Sequence, residues 1–260
     1  MVAAMASARG EHDATDGADF GFRRVGEDEK PGLVRDLFDR VAGRYDLMND
    51  LMSGGVHRLW KREMVAWLAP RPGMAVLDVA GGTGDIARRV REAMEGEGRV
   101  IVCDASEQMV DAGRERTWNA GLIGGIEWLV GDAEALPLSS RSVDAYTIAF
   151  GIRNLTRIER ALEEAARVLR PGGRFLCLEF NSRPPAGVDR LYNAYSFAVI
   201  PTLGAAVTGQ RDAYAYLVES IRRFPPPERL AAMMADAGFG GVRVRSLSAG
   251  IATLHSGWRV

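Results

Sequence analysis

The stretch Leu77-Asp78-Val79-Ala80-Gly81-Gly82-Thr83-Gly84-Asp85 runs from an apolar segment into a helical one through three closely spaced glycines. Glycine lets a backbone turn tightly and approach a ligand where a Cβ would clash. Twenty residues beyond Gly84, Asp104 ends the next β-branched run, the position from which a carboxylate takes two ribose hydroxyls. Asp132, in Gly131-Asp132-Ala133-Glu134, follows the third such run and is placed to meet the amine of an adenine. Together these residues predict a nucleoside ligand at the carboxyl ends of parallel strands. Two ligands compete for the loop. Gly82-x-Gly84-x-x-Ala87 satisfies the dinucleotide fingerprint, which would set a diphosphate on bare N–H groups at a helix start. Asp78 and Asp85 flank the loop, however, and repel a diphosphate. Their charge suits the ammonium and sulfonium of S-adenosylmethionine (SAM). The charges favour SAM; a nicotinamide adenine dinucleotide (NAD) oxidoreductase stands as the alternative.

Such a site needs strands that end together. Apolar, β-branched runs at 74–79, 99–104, 126–130, 143–150 and 174–180 alternate with helical spacing around 84–95, 106–120 and 157–170. That alternation implies crossovers and a mainly parallel sheet. The helix near 157 carries Thr156-x-x-Glu159, which reads as a capping box, and Pro171-Gly172-Gly173 stops it. Upstream, Leu33, Leu37, Val41, Leu59, Trp60, Met64, Val65 and Leu68 recur at helical spacing, interrupted by Gly54-Gly55. This predicts a helical cover over about 30–70. Between Arg190 and Arg211 lie 20 uncharged residues, a membrane-span length, but Asn193, Ser196, Pro201, Thr202 and Gly204 interrupt them. A two-helix lid over 188–224 is expected instead. A helix at 226–237 and strands at 242–247 and 251–258, turning at Gly250, close the chain.

The balance of 33 Lys+Arg against 34 Asp+Glu leaves a formal charge of −1, which provides no field for a nucleic-acid backbone. No Asn/Asp-Pro-Pro-aromatic segment follows the fourth strand, where amine methylases hold their base; Ala149-Phe150-Gly151-Ile152-Arg153-Asn154 stands there. Cys103 and Cys177 are isolated within β-like runs; they read as buried thiols, with no metal site or disulfide implied. Residues 1–19 are small, acidic and polar, without an apolar signal core. They are expected to be a disordered tail, and the protein cytoplasmic, with peripheral contact at the inner membrane face compatible with the lid.

Tyr45-Asp46-Leu47-Met48-Asn49-Asp50-Leu51-Met52-Ser53, continued by His57-Arg58-Leu59-Trp60-Lys61, resembles the first signature of the ubiquinone/menaquinone biosynthesis C-methyltransferases. Arg167-Val168-Leu169-Arg170-Pro171-Gly172-Gly173 through Glu179-Phe180-Asn181 resembles the second. Phe150 to Asn154 and Leu191 to Phe197 match further stretches, and the similarity covers about residues 20–260. The resemblance implies a class I SAM-dependent methyltransferase fold: a doubly wound seven-stranded sheet, mainly parallel, with a C-terminal antiparallel strand. It implies methyl transfer to a ring carbon of a polyprenylated quinol, either demethylmenaquinol or methoxy-polyprenyl-benzoquinol. Family cofactor contacts carry over to Thr83, Asp104, Asp132 and Ala133, which join Asp78 and Gly81. Asp132 stands where the family often has Asn, and Ala149 where it often has Ser. The second change removes a hydrogen bond worth roughly 0.5–1.5 kcal/mol. A homodimer and a quinone-synthesis complex are compatible partners, and a non-catalytic SAM-binding member of that complex is a further alternative.

A ring carbon becomes nucleophilic when a neighbouring phenol ionises, so the site must stabilise a phenolate and align carbon, methyl and sulfur. Arg153, always charged and just beyond the fourth strand, is the expected phenolate partner. Asn154 is expected to orient the ring hydroxyl or a bridging water. His57 is a candidate proton relay, and Tyr45, Tyr192 and Tyr195 are candidates to wall the quinol. His255 is expected to be structural, and Glu179 to hold a helix end or an Arg.

Overall fold

The computed structural model describes residues 17–41, 50, 53–122, 124–185, 187 and 211–260. A short hairpin, β1 (Ala18–Phe20) and β2 (Arg23–Val25), precedes α1 (Lys30–Val41) and α2 (His57–Leu68). The alternating body follows as β3 (Ala75–Val79), α3 (Asp85–Ala93), β4 (Arg99–Asp104), α4 (Glu107–Asn119), β5 (Ile126–Val130) and β6 (Val143–Ala149). A 3-10 turn at Ile152–Asn154 leads to α5 (Ile158–Val168) and β7 (Leu169–Phe180). The chain ends with α6 (Arg211–Arg223), α7 (Pro227–Asp236), β8 (Phe239–Leu247) and β9 (Ala252–Arg259).

The main sheet has the order β5-β4-β3-β6-β7-β9-β8. Strands β3 to β7 pair in parallel, and β9 runs antiparallel to both β7 and β8. The order reverses between β3 and β6, and the crevice outside the carboxyl ends at such a reversal is where open α/β sheets bind ligands. Side-chain alternation decides what faces that crevice. Val76, Val100, Val102 and Ala145 point to the layer under α2, α3 and α6, while Leu77, Ile101, Cys103 and Tyr146 point to the layer under α5 and α7. Asp78 and Asp104, in step with the first set, end on the α2–α3 side.

Most of the expected elements form. The sheet, its parallel body and its antiparallel final strand match the reading from sequence. Three details differ. Ala18 and Asp19, assigned to the disordered tail, pair with Val25 and Arg24 in the hairpin. Val143 pairs with Leu169 and Ala145 with Arg174, so the Pro171-Gly172-Gly173 segment bulges out of the ladder instead of separating helix from strand. The capping box does not form: Arg157 is the N-cap of α5 and makes no side-chain cap bond. Glu134 supplies the acceptor, its Oε1 taking the backbone N–H groups of Thr156 and Arg157 at 2.8 and 3.0 Å. A carboxylate there also suits the helix dipole.

Helix α2 buries His57, Trp60, Lys61, Met64, Val65 and Leu68. The first five of these residues fall at i, i+3, i+4, i+7 and i+8, the stripe of a core-facing helix. Each large apolar member contributes roughly 1.5–3 kcal/mol by leaving water. Lys61 is the anomaly in the stripe. Of the expected lid, 188–210 lies outside the described residues; the remainder forms α6. Among the described residues no helix is long and apolar enough to cross a membrane.

Candidate active site

The chain turns sharply at the ends of the two central strands. Ala80, after β3, has φ 48°, and Phe150, after β6, has φ 59°; both are left-handed conformations that cost a non-glycine residue energy. The two turns touch, since a Cβ on Gly151 would stand 2.4 Å from that of Ala80. A Cβ on Gly81 would meet Asp78 Oδ2 at 2.9 Å and Val102 Cγ1 at 2.8 Å. Glycine is therefore required at position 81 so that the loop can lie over Asp78.

Two cavities adjoin this loop. The larger, about 320 Å³, lies between α1 and the strand ends, a volume typical of small-molecule sites. Val34, Phe38, Met109, Val130, Phe150 and Leu155 give it apolar walls, and Asp104, Asp132, Ala133 and Asn154 also line it. The smaller, about 20 Å³, is bounded by Lys61, Asp78, Gly81, Thr83, Asp85 and Ala149. Ala80 borders both. The six expected cofactor residues thus divide: Asp104, Asp132 and Ala133 at the large cavity, and Asp78, Gly81 and Thr83 at the small one.

Backbone hydrogen bonds orient Asp104. Its Oδ2 accepts from Gly82 N at 2.8 Å and its Oδ1 from Ser106 N at 3.0 Å. Burial raises its pKa, and those N–H bonds oppose the rise. Ser106 in turn caps α4 by accepting from Met109 N at 3.1 Å and donates to Asp39 of α1 at 2.5 Å. Asp132 Oδ1 accepts from Glu134 N at 2.8 Å.

Asp78 is held differently. Its Oδ1 accepts from Thr147 Oγ1 at 2.9 Å, while Oδ2 is buried with no hydrogen-bond partner. Burial pushes its pKa up to about 7; the Thr147 bond and the charge of Lys61 offset this only in part. Across the small cavity Lys61 Nζ donates to Asp85 Oδ2 at 2.9 Å, and Arg89 Nε to Asp85 Oδ1 at 3.0 Å. Burial would raise Asp85 too, but Lys61, Arg89 and Arg88 override it and hold the carboxyl at about 2.

These facts discriminate between the ligands expected from the loop. The N–H groups of Gly81, Gly82 and Gly84 are already donated to Cys103 O, Asp104 Oδ2 and Gly81 O, so the three glycines of the fingerprint offer no free amide to a diphosphate. A buried carboxylate oxygen without a donor, beside a buried ammonium, instead fits the amino-acid end of SAM. The loop favours SAM over NAD.

The model of the ubiE/COQ5 methyltransferase family matches residues 24–259. The chain belongs to that family. It is 57% identical over 241 residues to the ubiquinone/menaquinone biosynthesis C-methyltransferase UbiE of Paracoccus denitrificans, covering 93% of this chain and 96% of that one. The same-named protein of Cereibacter sphaeroides strain ATCC 17029 is 56% identical with the same coverage. Among solved structures, a SAM-dependent methyltransferase from Thermotoga maritima superposes with TM-score 0.62 at 22% identity, over 87% of this chain and 100% of that one. The methyltransferase in a Haloferax volcanii complex with Trm112 gives 0.60 at 21%, over 87% and 97%. These structural likenesses show the fold. With the family shown, the chain is a methyltransferase, and neither the oxidoreductase nor the non-catalytic alternative has support.

Other expected site residues are placed less simply. Arg153 does not line the large cavity. Its side chain is 2% exposed, and Nη1 donates to Phe150 O at 2.5 Å and to Glu179 Oε1 and Oε2 at 2.8 and 3.1 Å. The guanidinium is committed to a buried ion pair, so Glu179 does hold an Arg as expected, and the arginine's phenolate role loses its geometry. Asn154 does line the cavity. Adjacent residues of a 3-10 turn point about 120° apart, so only one of the two faces the ligand.

His57 borders neither cavity. Ser53 Oγ accepts from its backbone N–H at 3.1 Å and lies 3.0 Å from Nδ1. Burial, helped by Lys61, pushes its pKa down to about 4, so it is neutral near pH 7 and serves the start of α2 rather than a proton relay. His255, as expected, is structural, its Nε2 3.0 Å from Pro227 O. Cys103 and Cys177 are buried free thiols, burial pushing Cys103 up to about 12. Tyr45, Tyr192 and Tyr195 lie outside the described residues. Lys61 was missed as a site residue, although a lysine on the stripe Trp60-Lys61-Met64-Val65-Leu68 was the available signal.

Proposed function

We propose that this methyltransferase transfers the methyl of SAM to a ring carbon of a polyprenylated quinol, with the cofactor's amino-acid end in the small cavity and the quinol ring in the large one. The observation that carries the reading is the pairing of an apolar chamber with a polar niche holding an unpartnered buried carboxylate oxygen. The names of the relatives, ubiquinone/menaquinone biosynthesis C-methyltransferases, support a quinol acceptor. When bound, SAM supplies an electrophilic methyl group on a sulfonium sulfur.

The chain's own residues do the rest. Asp78 Oδ2 takes the ammonium, and Lys61 Nζ the carboxylate, while Gly81 and Thr83 leave room for both. Asp104, held by two backbone N–H groups, keeps lone pairs for the ribose hydroxyls. Asp132 and Ala133 meet the adenine. Val34, Phe38, Phe150 and Leu155 exclude water around the ring, which strengthens every polar contact made there. Asn154 donates its amide N–H to the ring oxygen as negative charge develops on it. Removing such a preorganised donor typically costs about 10²–10³ in rate. Arg153 supports the turn from behind, through Glu179 and the Phe150 carbonyl.

Single-turnover transfer of labelled methyl to short-chain demethylmenaquinol and methoxy-benzoquinol acceptors tests this. One of them should be methylated on carbon, and Asn154→Ala should slow transfer without weakening SAM binding. Asp104→Ala should weaken SAM at least about tenfold, or about 1.4 kcal/mol. Bound SAM with transfer to neither acceptor refutes the substrate assignment.

A further inference from the structure

Asn154 can serve a developing phenolate only if its amide presents N–H, not C=O, to the cavity, and the structure shows what decides that orientation. Tyr216, on α6, donates its hydroxyl to Asn154 Oδ1 at 3.1 Å. From this contact we infer that Tyr216 is a positioning residue for methyl transfer: by claiming the Asn154 carbonyl, it turns both amide hydrogens toward the substrate. The inference rests on the reading of Asn154 given above.

The reverse amide orientation is unfavourable for a specific reason. It would set NH2 against the phenol oxygen and leave the phenol proton without its acceptor. Tyr216 is only 4% exposed, so water does not replace the lost partner, and a buried hydroxyl left without its acceptor disfavours that orientation. The phenol stays a donor throughout the working pH range, because burial raises its pKa, with nearby Glu179 adding and Arg153 opposing.

Tyr216 is itself held from outside by the amino-terminal hairpin. The Phe20 ring stacks on it at 4.4 Å with the planes 28° apart. Next to this stack Phe22 N donates to Glu219 Oε2 at 2.9 Å. The hairpin reaches that carboxylate because position 21 is glycine: φ is +62°, and a Cβ would stand 2.2 Å from Glu219 Oε2. From the other side Lys30 Nζ donates to Leu155 O at 2.8 Å, pinning the residue after Asn154. Hairpin, α1 and α6 thus converge on one amide.

Tyr216→Phe removes the hydroxyl but keeps the ring and its stack. It should lower kcat about tenfold, with SAM Kd and acceptor KM unchanged and the melting temperature checked alongside. A role in packing alone leaves kcat intact. The double variant Tyr216→Phe/Asn154→Ala should be no slower than Asn154→Ala, because the hydroxyl acts only through the amide. Wild-type kcat for Tyr216→Phe, or losses that multiply in the double variant, overturn the inference. If Asn154→Ala slows transfer and Tyr216→Phe does not, the inference alone fails. If Asn154→Ala turns over at the wild-type rate, the substrate-facing reading of Asn154 fails and this one with it.

Discussion

Asp78→Asn should make the cofactor-free protein more stable while impairing its binding of SAM. The carboxyl is fully buried, one oxygen has no donor, and burial moves its titration from 3.8 to about 7. Between those values the native state keeps a proton that the unfolded chain releases, so stability falls as pH rises across the window. Above pH 7 the accumulated penalty is on the order of 4 kcal/mol. Asparagine has no charge to bury and can still accept from Thr147, but its amide hydrogens find no ready acceptor, a loss of about 1–3 kcal/mol. A net gain of about 2 kcal/mol would raise the melting temperature by roughly 4–8 °C in a chain of this size.

The gain has a signature in pH that a packing effect would lack. At pH 8 the variant should melt above the wild type; toward pH 3, below both titrations, the wild-type carboxyl is protonated in both states, so the advantage should vanish and reverse. SAM binding should show the opposite preference. Loss of the anion facing the ammonium should weaken affinity at least about tenfold, and wild-type affinity should rise with pH until Asp78 is ionised. Thermal melts from pH 3 to 8, with and without SAM, test both. A variant that melts below the wild type at pH 8, or a difference independent of pH, refutes the reasoning.

Arg153→Met strands Glu179 as an unpaired buried charge and should cost roughly 3–5 kcal/mol of stability; Arg153→Met/Glu179→Gln should melt above the single variant. A normal melt for Arg153→Met, with the loss confined to rate, would return the guanidinium to the chemistry. Lys61→Met should weaken SAM by about tenfold yet leave 5′-methylthioadenosine, which has no carboxylate, bound as before. Equal weakening of both ligands would place Lys61 elsewhere than at the amino-acid end.

The gathering of the expected cofactor residues at the strand ends was largely legible because strand alternation and chain order decide it locally. Asp78 and Asp104 end adjacent parallel strands, and period-two alternation sends both to the same side of the sheet. The surroundings of Arg153 and Asn154 were not legible in the same way. Arg153 and Asn154 read as a pair because they are neighbours in sequence, but the 3-10 turn at Ile152–Asn154 sends consecutive side chains to different surroundings. Ile152 enters the core, Arg153 meets Glu179, and Asn154 meets the cavity. The cap of α5 failed for a related reason: Thr156-x-x-Glu159 is a local pattern, and the acceptor came from Glu134, 22 residues upstream. Tyr216 and Asn154 are 62 residues apart, and no spacing rule links them.

The amino-terminal elements join the Asp104 and Asn154 sides of the large cavity. Helix α1 walls the large cavity with Val34 and Phe38, and its Asp39 takes the Ser106 hydroxyl. The backbone N–H of that same serine holds Asp104. The hairpin before α1 stacks on Tyr216, which holds Asn154. A displacement of this cover would therefore disturb the Asp104 carboxylate and the Asn154 amide together, through two separate sets of bonds. The sheet provides positions for ionic contacts at its strand ends, but the cover decides which way the polar groups there are turned.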